Sequence, residues 1–590
     1  LALGSFSSVS GINNCALGYN NLIVGGANNM TNLLCQYTTN NKVIIGSQNS
    51  VICGGNSVII GGRRHTISGD YGTVSGGYGN VAGPVGTASG YYNTASGRSS
   101  GTFSGCRNTA SGTRSFIGGG CRNNATNQGS SVVGGDFNNA SGACAIVGGG
   151  CLNNAIGPFS SVFGGGNNCA TGSNSFIGGG RSNSASNIYS TISGGKINTA
   201  SGSYSTIGGG RSNSASSYSI VGGGTGNCAT GLLSTILGGE NNKATQIHSV
   251  VVGGYLNCAS IGNCNFVGGG RSNCALGDSS MVVAGYGNKA TGLYSLVVGG
   301  YTNCATGDYS FVGGGNANKA IGVCSFVGGG NSNIACVGKG NVVVGGEINT
   351  ASSDYFSSVV GGRNNTSSGR YGFVGAGVTN SASGYANFVG GGKCNVTSSC
   401  FTTLSGGYKN IVNAPHSIVG GGCCNTASGG CASVLGGTLN QALGTYTSVV
   451  GGFSNCACTS ASYSFIGGGL NNVTISGCGV IGGGSKNTVT DGAVVGGLCN
   501  TAGCAWSFVG AGQCNRAIGR YSTVSGGYGN TSSGNYSSSG GLRSSASGYA
   551  SFVGGGGNTA SNCHSAVVGG CENLSSGACS IVGGGASNRA

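Results

Sequence analysis

The chain contains very little charge and almost no proline. Charged residues make up 6% of its 590 residues, whereas they make up about a quarter of an average globular protein. Only 3 prolines accompany 131 glycines, which excludes a collagen-like chain or a proline-rich linker. Low charge combined with 38% hydrophobic residues also excludes a chain kept unfolded by its own solvation. The composition therefore predicts an ordered protein.

Several kinds of functional site also lack the residues that they need. No run of 18 apolar residues occurs, so we predict no membrane insertion in this segment. Four histidines and nine acidic residues are too few for a repeated catalytic triad or metal cluster, and no Cys-x-x-Cys spacing is present. The glycine runs lack the Gly-Lys-Ser/Thr of a phosphate-binding loop. We predict no enzyme activity, no cofactor, and no catalytic, cofactor-binding or metal-binding residue.

Two short phrases alternate along almost the whole chain. One reads Ser-x-Val-x-Gly-Gly, as in 205–209, and the other reads Asn-x-Ala-x-Gly, as in 198–202. Each returns about every 15 residues. The apolar residue of the first phrase falls at Ile192, Ile207, Val221, Ile236, Val251, Val267, Val282, Val297, Val312 and Val327. A short fixed period of this kind indicates a repeat protein.

The phrases predict an all-β fold. Each one alternates apolar and polar residues and then meets glycine, which is typical of a short strand followed by a turn. About two short strands per 15-residue coil make a parallel β-solenoid or β-roll. We predict one continuous array over 1–590, a segment of a longer chain, with variant half-repeats lacking long glycine runs at 1–112. Less regular phrasing predicts loops at 31–41, 334–341 and 408–416.

Alternation along the strands predicts which side chains face the core. Val or Ile of one phrase and Ala of the other would point inward, while Ser and Asn near the strand starts would form hydrogen-bonded ladders between coils. The residue between Ser and Val would point outward. We predict an inter-chain interface along that apolar row: Val250, Phe266, Met281, Leu296, Phe311 and Phe326. The alternative is that strand propensity alone filled the row.

The phrases resemble the YadA-like (Hep/Hag) head repeats of trimeric autotransporter adhesins. The resemblance is carried by segments such as 249–253, Ser-Val-Val-Val-Gly, followed by Asn257, Cys258, Ala259, Ser260 and Gly262. It implies a left-handed parallel β-roll that forms a homotrimer on a surface fibre, and similar repeats occur in viral and phage fibres. This chain departs from the family in its longer period, commoner Gly-Gly-Gly and abundant cysteine.

Together these features predict a structural fibre or spike shaft that provides extension and adhesion. Its location would be extracellular, on a cell or virion surface, with a surface receptor or glycan as further partner. The alternative is a ligand-binding or ice-binding β-solenoid, which needs an exposed threonine row. The candidate row is interrupted, because Thr199 and Ser214 give way to Cys228 and Lys243.

Basic residues and cysteines follow the repeat as well. The net charge is +15, and Arg181, Arg211, Arg271 and Arg363 come just after glycine runs. Either they solvate a turn, or they form a stripe for anionic partners; because no aromatic residues interleave with them, we predict no nucleic-acid partner. The chain has 29 cysteines. Cys258 and Cys274 occupy the same position in successive coils, so they form either a disulfide or a pair of free thiols.

Overall fold

The computed structural model describes residues 1–3, 5–31 and 41–590. These residues contain 78 β-strands and no helix. The chain forms two compact units, Leu1–Thr291 and Gly292–Ala590, and each unit is a stack of parallel coils. The fold is a parallel β-solenoid of about 38 turns with about 15 residues per coil, as the period predicted.

Each coil contributes one strand to each of two parallel sheets. We call them the Asn-Ala sheet and the Ser-Val sheet, after the phrases that form them. In the first unit, consecutive Asn-Ala strands are Thr199–Ala200, Ser214–Ala215, Cys228–Ala229, Lys243–Ala244, Cys258–Ala259, Cys274–Ala275 and Lys289–Ala290. The Ser-Val strands between them are Thr206–Ile207, Ile220–Val221, Thr235–Ile236, Val250–Val251, Phe266–Val267 and Met281–Val282.

The second unit repeats this arrangement. Its Ser-Val strands begin with Leu296–Val297, Phe311–Val312, Phe326–Val327, Val342–Val343, Ser358–Val359 and Phe373–Val374, and its Asn-Ala strands with Cys304–Ala305, Lys319–Ala320, Ile334–Ala335 and Thr350–Ala351.

In both units some strands are longer than two residues. They include Leu22–Val24, Val43–Ile45, Val58–Ile60, Thr73–Ser75, Gly492–Val494, Thr523–Tyr528 and Ser538–Leu542. Within 1–112, successive half-repeats supply strands alternately to the two sheets, as the later phrases do.

A third parallel ladder, one residue wide, runs beside the two sheets. It is formed by the residue that follows each glycine run, so that Arg181 pairs with Lys196 and Lys196 with Arg211. Sequence reasoning predicted a turn at this position. The ladder escaped prediction because one residue per coil has no alternation, and because its members share no chemistry.

Left-handed residues turn the corners between the three ladders. In one coil these are Tyr204, Gly210 and Ser212, with φ of 57°, 86° and 56°. Gly210 must be glycine, because a Cβ there would collide with the carbonyl oxygen of Gly224 in the next coil. The other two positions lie on the surface and accept larger side chains.

The core is thin and apolar, as predicted. Val or Ile from one sheet and Ala from the other are fully buried, as at Ile207, Ala215, Val221 and Ala229. These residues form the second position of each strand, and their neighbours at the first position are partly or fully exposed. The strand alternation therefore assigns the inward and outward faces correctly.

Buried asparagines connect each coil to the next. Asn213 donates from Nδ2 to the carbonyl oxygens of Gly209 at 2.8 Å and Gly224 at 2.9 Å, and its Oδ1 accepts from the backbone N–H of Asn227 at 2.9 Å. This confirms the predicted asparagine ladder. The serines are mixed: Ser205 donates from Oγ to the carbonyl of Gly202 in its own coil at 2.6 Å, whereas Ser417 donates to the carbonyl of Gly429 in the next coil at 2.6 Å and accepts from the backbone N–H of Ala432.

The predicted loops have three different outcomes. The loop at 31–41 lies, from 32 to 40, outside the described residues. Near 334–341 the coil is lengthened, since Val327 pairs with Val343, and Val337 is exposed. The loop predicted at 408–416 is wrong: Ile411–Val412 pairs in register with Val396–Thr397, and the buried Val412 occupies the place usually taken by alanine.

Candidate functional site: the outward face of the Ser-Val sheet

The predicted interface row lies at the first position of the Ser-Val strands. In the first unit Val250 pairs with Phe266, and Phe266 with Met281. In the second unit Leu296 pairs with Phe311, and Phe311 with Phe326. All six side chains point away from the core, and Met281 and Phe326 are 38% and 36% exposed. Within each unit the structure therefore brings the predicted residues together on one outward face.

The two outward residues of a Ser-Val strand, on either side of the buried Val or Ile, are here called the first and third positions, and their sizes are linked wherever the first is phenylalanine. In other coils both positions are large, as at Val250/Val252, Met281/Val283 and Leu296/Val298. Every phenylalanine at the first position of a Ser-Val strand has glycine at the third. These pairs are Phe116/Gly118, Phe176/Gly178, Phe266/Gly268, Phe311/Gly313, Phe326/Gly328, Phe373/Gly375, Phe388/Gly390, Phe465/Gly467, Phe508/Gly510 and Phe552/Gly554. A phenylalanine ring at the first position therefore never meets a side chain at the third.

Small first residues commonly show the reverse pattern. Examples are Gly101/Phe103, Ser131/Val133, Ser161/Phe163, Ser358/Val360, Ser433/Leu435, Ser448/Val450, Ala493/Val495 and Ala566/Val568. Thr206/Gly208 and Ser538/Gly540 are small at both positions. Strand propensity accounts for apolar residues at each position separately, but it does not account for this exchange between them.

The phenylalanine side chains extend along the strand above the glycines that follow them. A Cβ at Gly313 would come within 3.3 Å of Phe311 Cε1, and a Cβ at Gly268 would come equally close to Phe266. Rings on adjacent coils stack, with centroids 5.1 Å apart and planes 6° apart for Phe311 and Phe326. Because each ring occupies the space above its glycine, it adds less height to the face than it would above a larger residue. We call this surface the level face.

A short coil leaves a notch in the level face of the second unit. Ile481 pairs with Val494, only 13 residues later, so this coil is two residues shorter than usual. A cavity of about 400 Å³ opens beside it, with Val480, Asp491, Trp506 and Phe508 among its lining residues. The only tryptophan of the chain therefore lies on the surface, where its ring is 6.5 Å from that of Tyr521.

The outward row of the Asn-Ala sheet has a different chemistry. It contains Lys243 and Lys289 in the first unit and Lys319 in the second, all exposed. Lysine on a sheet surface keeps that surface in water and opposes edge or face association. In the coils that carry these lysines, the apolar outward face therefore belongs to the Ser-Val sheet.

Cys258 and Cys274 lie in this row as direct register partners. Both are half-buried free thiols, so a disulfide between them stays a prediction. The structure does contain a disulfide between Cys106 and Cys121, whose Cα atoms are 4.6 Å apart. These two residues pair on the third ladder, and their shared phrase position with a separation of one period was the signal that could have identified them.

The arginines that follow glycine runs lie on the third ladder. Arg271 is flanked on that ladder by Tyr255 and Tyr286, with its guanidinium carbon 5.3 Å and 5.5 Å from their ring centroids. The expectation that no aromatic residues interleave with these arginines was therefore wrong. Arg363 forms an exposed ion pair with Glu347 at 3.4 Å. The absence of a nucleic-acid partner stays a prediction.

Among the residues that the structure describes, no three His, Cys, Asp or Glu side chains form a group that could hold a metal ion. The same part of the chain has no helix long and apolar enough to cross a membrane. No protein-family model and no curated protein matches the chain.

Proposed function

We propose that this chain is part of the shaft of a fibre or spike, and that three copies pack side by side through their level faces. The observation that carries the proposal is the apolar outward row along that face, in which every phenylalanine is followed two residues later by glycine. A surface that only met water would have no reason to keep Phe paired with Gly and Ser paired with Val or Leu. Extended apolar surfaces on soluble proteins mark interaction sites.

The proposal extends to the handedness and setting of the assembly. The resemblance to adhesin head repeats supports a left-handed roll, a threefold arrangement and a location outside the cell or on a virion. Lysines on the Asn-Ala sheet support an assembly in which that sheet stays in water. That solvated side is then the surface available to a receptor or glycan.

The first test breaks the face. Replacing Phe311 and Phe326 together by Asp places two charges in the proposed contact, and we expect native mass measurement to show loss of the three-chain particle. The matched control is Lys319→Asp, on the outward row of the other sheet, which should leave the mass unchanged. An unaltered particle in the double variant would contradict the proposal.

The second test exchanges the two ways of levelling the face. Ser358→Phe with Val360→Gly converts one natural pattern into the other, so the assembly should persist. Ser358→Phe alone sets a ring over Val360 and raises the surface locally, so the assembly should weaken. If both variants assembled equally well, the compensation would be unrelated to contact between chains.

A further inference from the structure

Four consecutive strands of the Asn-Ala sheet place two thiols between two lysines. Their outward residues are Lys243, Cys258, Cys274 and Lys289, each paired in register with the next. Adjacent parallel strands lie about 4.8 Å apart, so the two sulfur atoms lie on neighbouring strands and a lysine adjoins each outer side. Among these four residues, the pattern places a cation next to each cysteine.

The two thiols are not equivalent. Cys258 Sγ lies 3.0 Å from Ser260 Oγ, whereas Leu276 occupies the corresponding position beside Cys274. A hydroxyl can donate to a thiolate, and a leucine side chain cannot. The hydrogen bond from Cys274, the Ser260 hydroxyl and the charge of Lys243 outweigh burial and lower the pKa of the Cys258 thiol to about 6. Hydrogen bonding to Cys258 and burial raise the pKa of the Cys274 thiol.

We propose that Cys258 and Cys274 form a reactive dithiol site, in which Cys258 is the nucleophile and Cys274 the resolving thiol, and that small-molecule disulfides are its substrates. The Cys258 thiolate attacks one sulfur of the disulfide, forms a mixed disulfide and releases one thiolate. Cys274 then attacks Cys258, and the second small thiol leaves with the proton that Cys274 loses. Two cysteines are oxidised, and one small disulfide is reduced to two thiols.

The product is a covalent link between two successive coils on the solvated sheet. The register at this site resembles that of Cys106 and Cys121, which are also paired on adjacent coils and already form a disulfide. Adjacent strands are about 4.8 Å apart, which lies within the Cα separation that a disulfide accepts. The site is independent of the level face, so its failure would not bear on the proposed assembly.

The first measurement is the alkylation rate of individual cysteines in the folded chain, followed by peptide mapping. Cys169 is the matched control, since it lies in the same outward row between Asn154 and Ser184, and burial raises its thiol pKa. Cys258 has a larger thiolate fraction than Cys169, and its lower intrinsic nucleophilicity offsets part of that advantage. We therefore expect Cys258 to be alkylated about fivefold faster than Cys169 at pH 7 and about twentyfold faster at pH 6. Its rate should level off above about pH 7, while that of Cys169 keeps rising. Equal profiles would overturn the assignment of Cys258 as the nucleophile.

The second measurement follows the products formed with oxidised glutathione. The native chain should yield a peptide that links Cys258 to Cys274. Cys274→Ser should instead accumulate glutathione on Cys258, and Cys258→Ser should slow modification of Cys274 to the rate at Cys169. Ser260→Ala should slow Cys258 and move its profile to higher pH while leaving Cys169 unchanged. If the native chain formed no linked peptide, the dithiol site would be disproved.

Discussion

Residues 42–75 and 191–290 keep the same two sheets with different interiors. In the isoleucine segment, 42–75, both sheets bury large residues: Ile44, Ile52, Ile59, Ile67 and Val74. In the alanine segment, 191–290, each Val or Ile is opposed by Ala, as Ile236 is by Ala229 and Ala244. The later coils therefore bury less apolar surface per coil.

The two segments also differ in the residues that form the hydrogen-bonded ladder between coils. The asparagine ladder is continuous through the alanine segment, whereas Ser50 and His65 take its places in the isoleucine segment, between Asn29 and Asn80. In the isoleucine segment Ser50 and His65 therefore accept the backbone N–H of the next coil in place of asparagine. The comparison teaches that the stack accepts larger core residues and a change of ladder residue together, while the coil-to-coil hydrogen bonds to the next backbone N–H are kept.

The largest effect should come from opening the isoleucine core. Ile59→Ala removes a fully buried side chain, and we expect a local loss of about 4 kcal/mol. Hydrogen exchange of the backbone amides at 51–68 measures it, because long repeat arrays unfold locally. The control is the outward neighbour Ile60→Ala, which is 48% exposed. Equal losses for the two variants would refute the core assignment.

Breaking the ladder in the alanine segment should cost slightly less. Asn242→Ala leaves the carbonyls of Gly238 and Gly254 and the N–H of Asn257 without their amide partner. We expect a loss of about 3 kcal/mol, seen as faster amide exchange at 227–257. Asn241→Gly is the control, since Asn241 is partly exposed with a φ of 55° that glycine adopts freely. Unchanged exchange in Asn242→Ala would show that the ladder contributes nothing.

Repairing the ladder in the isoleucine segment should give the smallest effect. His65→Asn restores the amide and should stabilise these coils by about 1 kcal/mol. Burial lowers the pKa of His65, and the nearby backbone carbonyls of Gly61 and Gly77 oppose only part of that shift. The imidazole of His65 therefore binds a proton more readily in the unfolded chain than in the folded one. The stability of these coils should be full above about pH 6.5 and should fall as the pH drops below that value. Amide exchange between pH 5 and 8 should show this slope in the native chain and not in His65→Asn.

The sequence predicted the parts of the fold that recur as a pattern. Alternation around Ile207 and Ala215 identified the sheets, the core and the outward row from Val250 to Phe326. The third ladder could not be predicted, because Arg181 and Lys196 are single residues whose pairing arises only when the coils stack. The regular coil at Ile411–Val412 shows that the core accepts valine in place of alanine, which irregular phrasing concealed.

The candidate site was predicted as a row but not as a level surface. The row needed only the outward position of Phe311, whereas the levelling depends on its ring lying over Gly313, which is a matter of side-chain packing. Likewise, the spacing of Cys258 and Cys274 predicted proximity, but the hydroxyl of Ser260 beside only one of them became visible in the structure. Side-chain direction, rather than register, was the missing information.

Native mass measurement of the 590-residue chain, at concentrations down to the nanomolar range, tests most directly whether other copies of the chain cover the level face. One chain has a mass of 56.7 kDa. We expect a particle of about 170 kDa, which corresponds to three chains related by a threefold axis. A stable monomer of 56.7 kDa that remains soluble with its phenylalanine rows in water would contradict the proposed assembly.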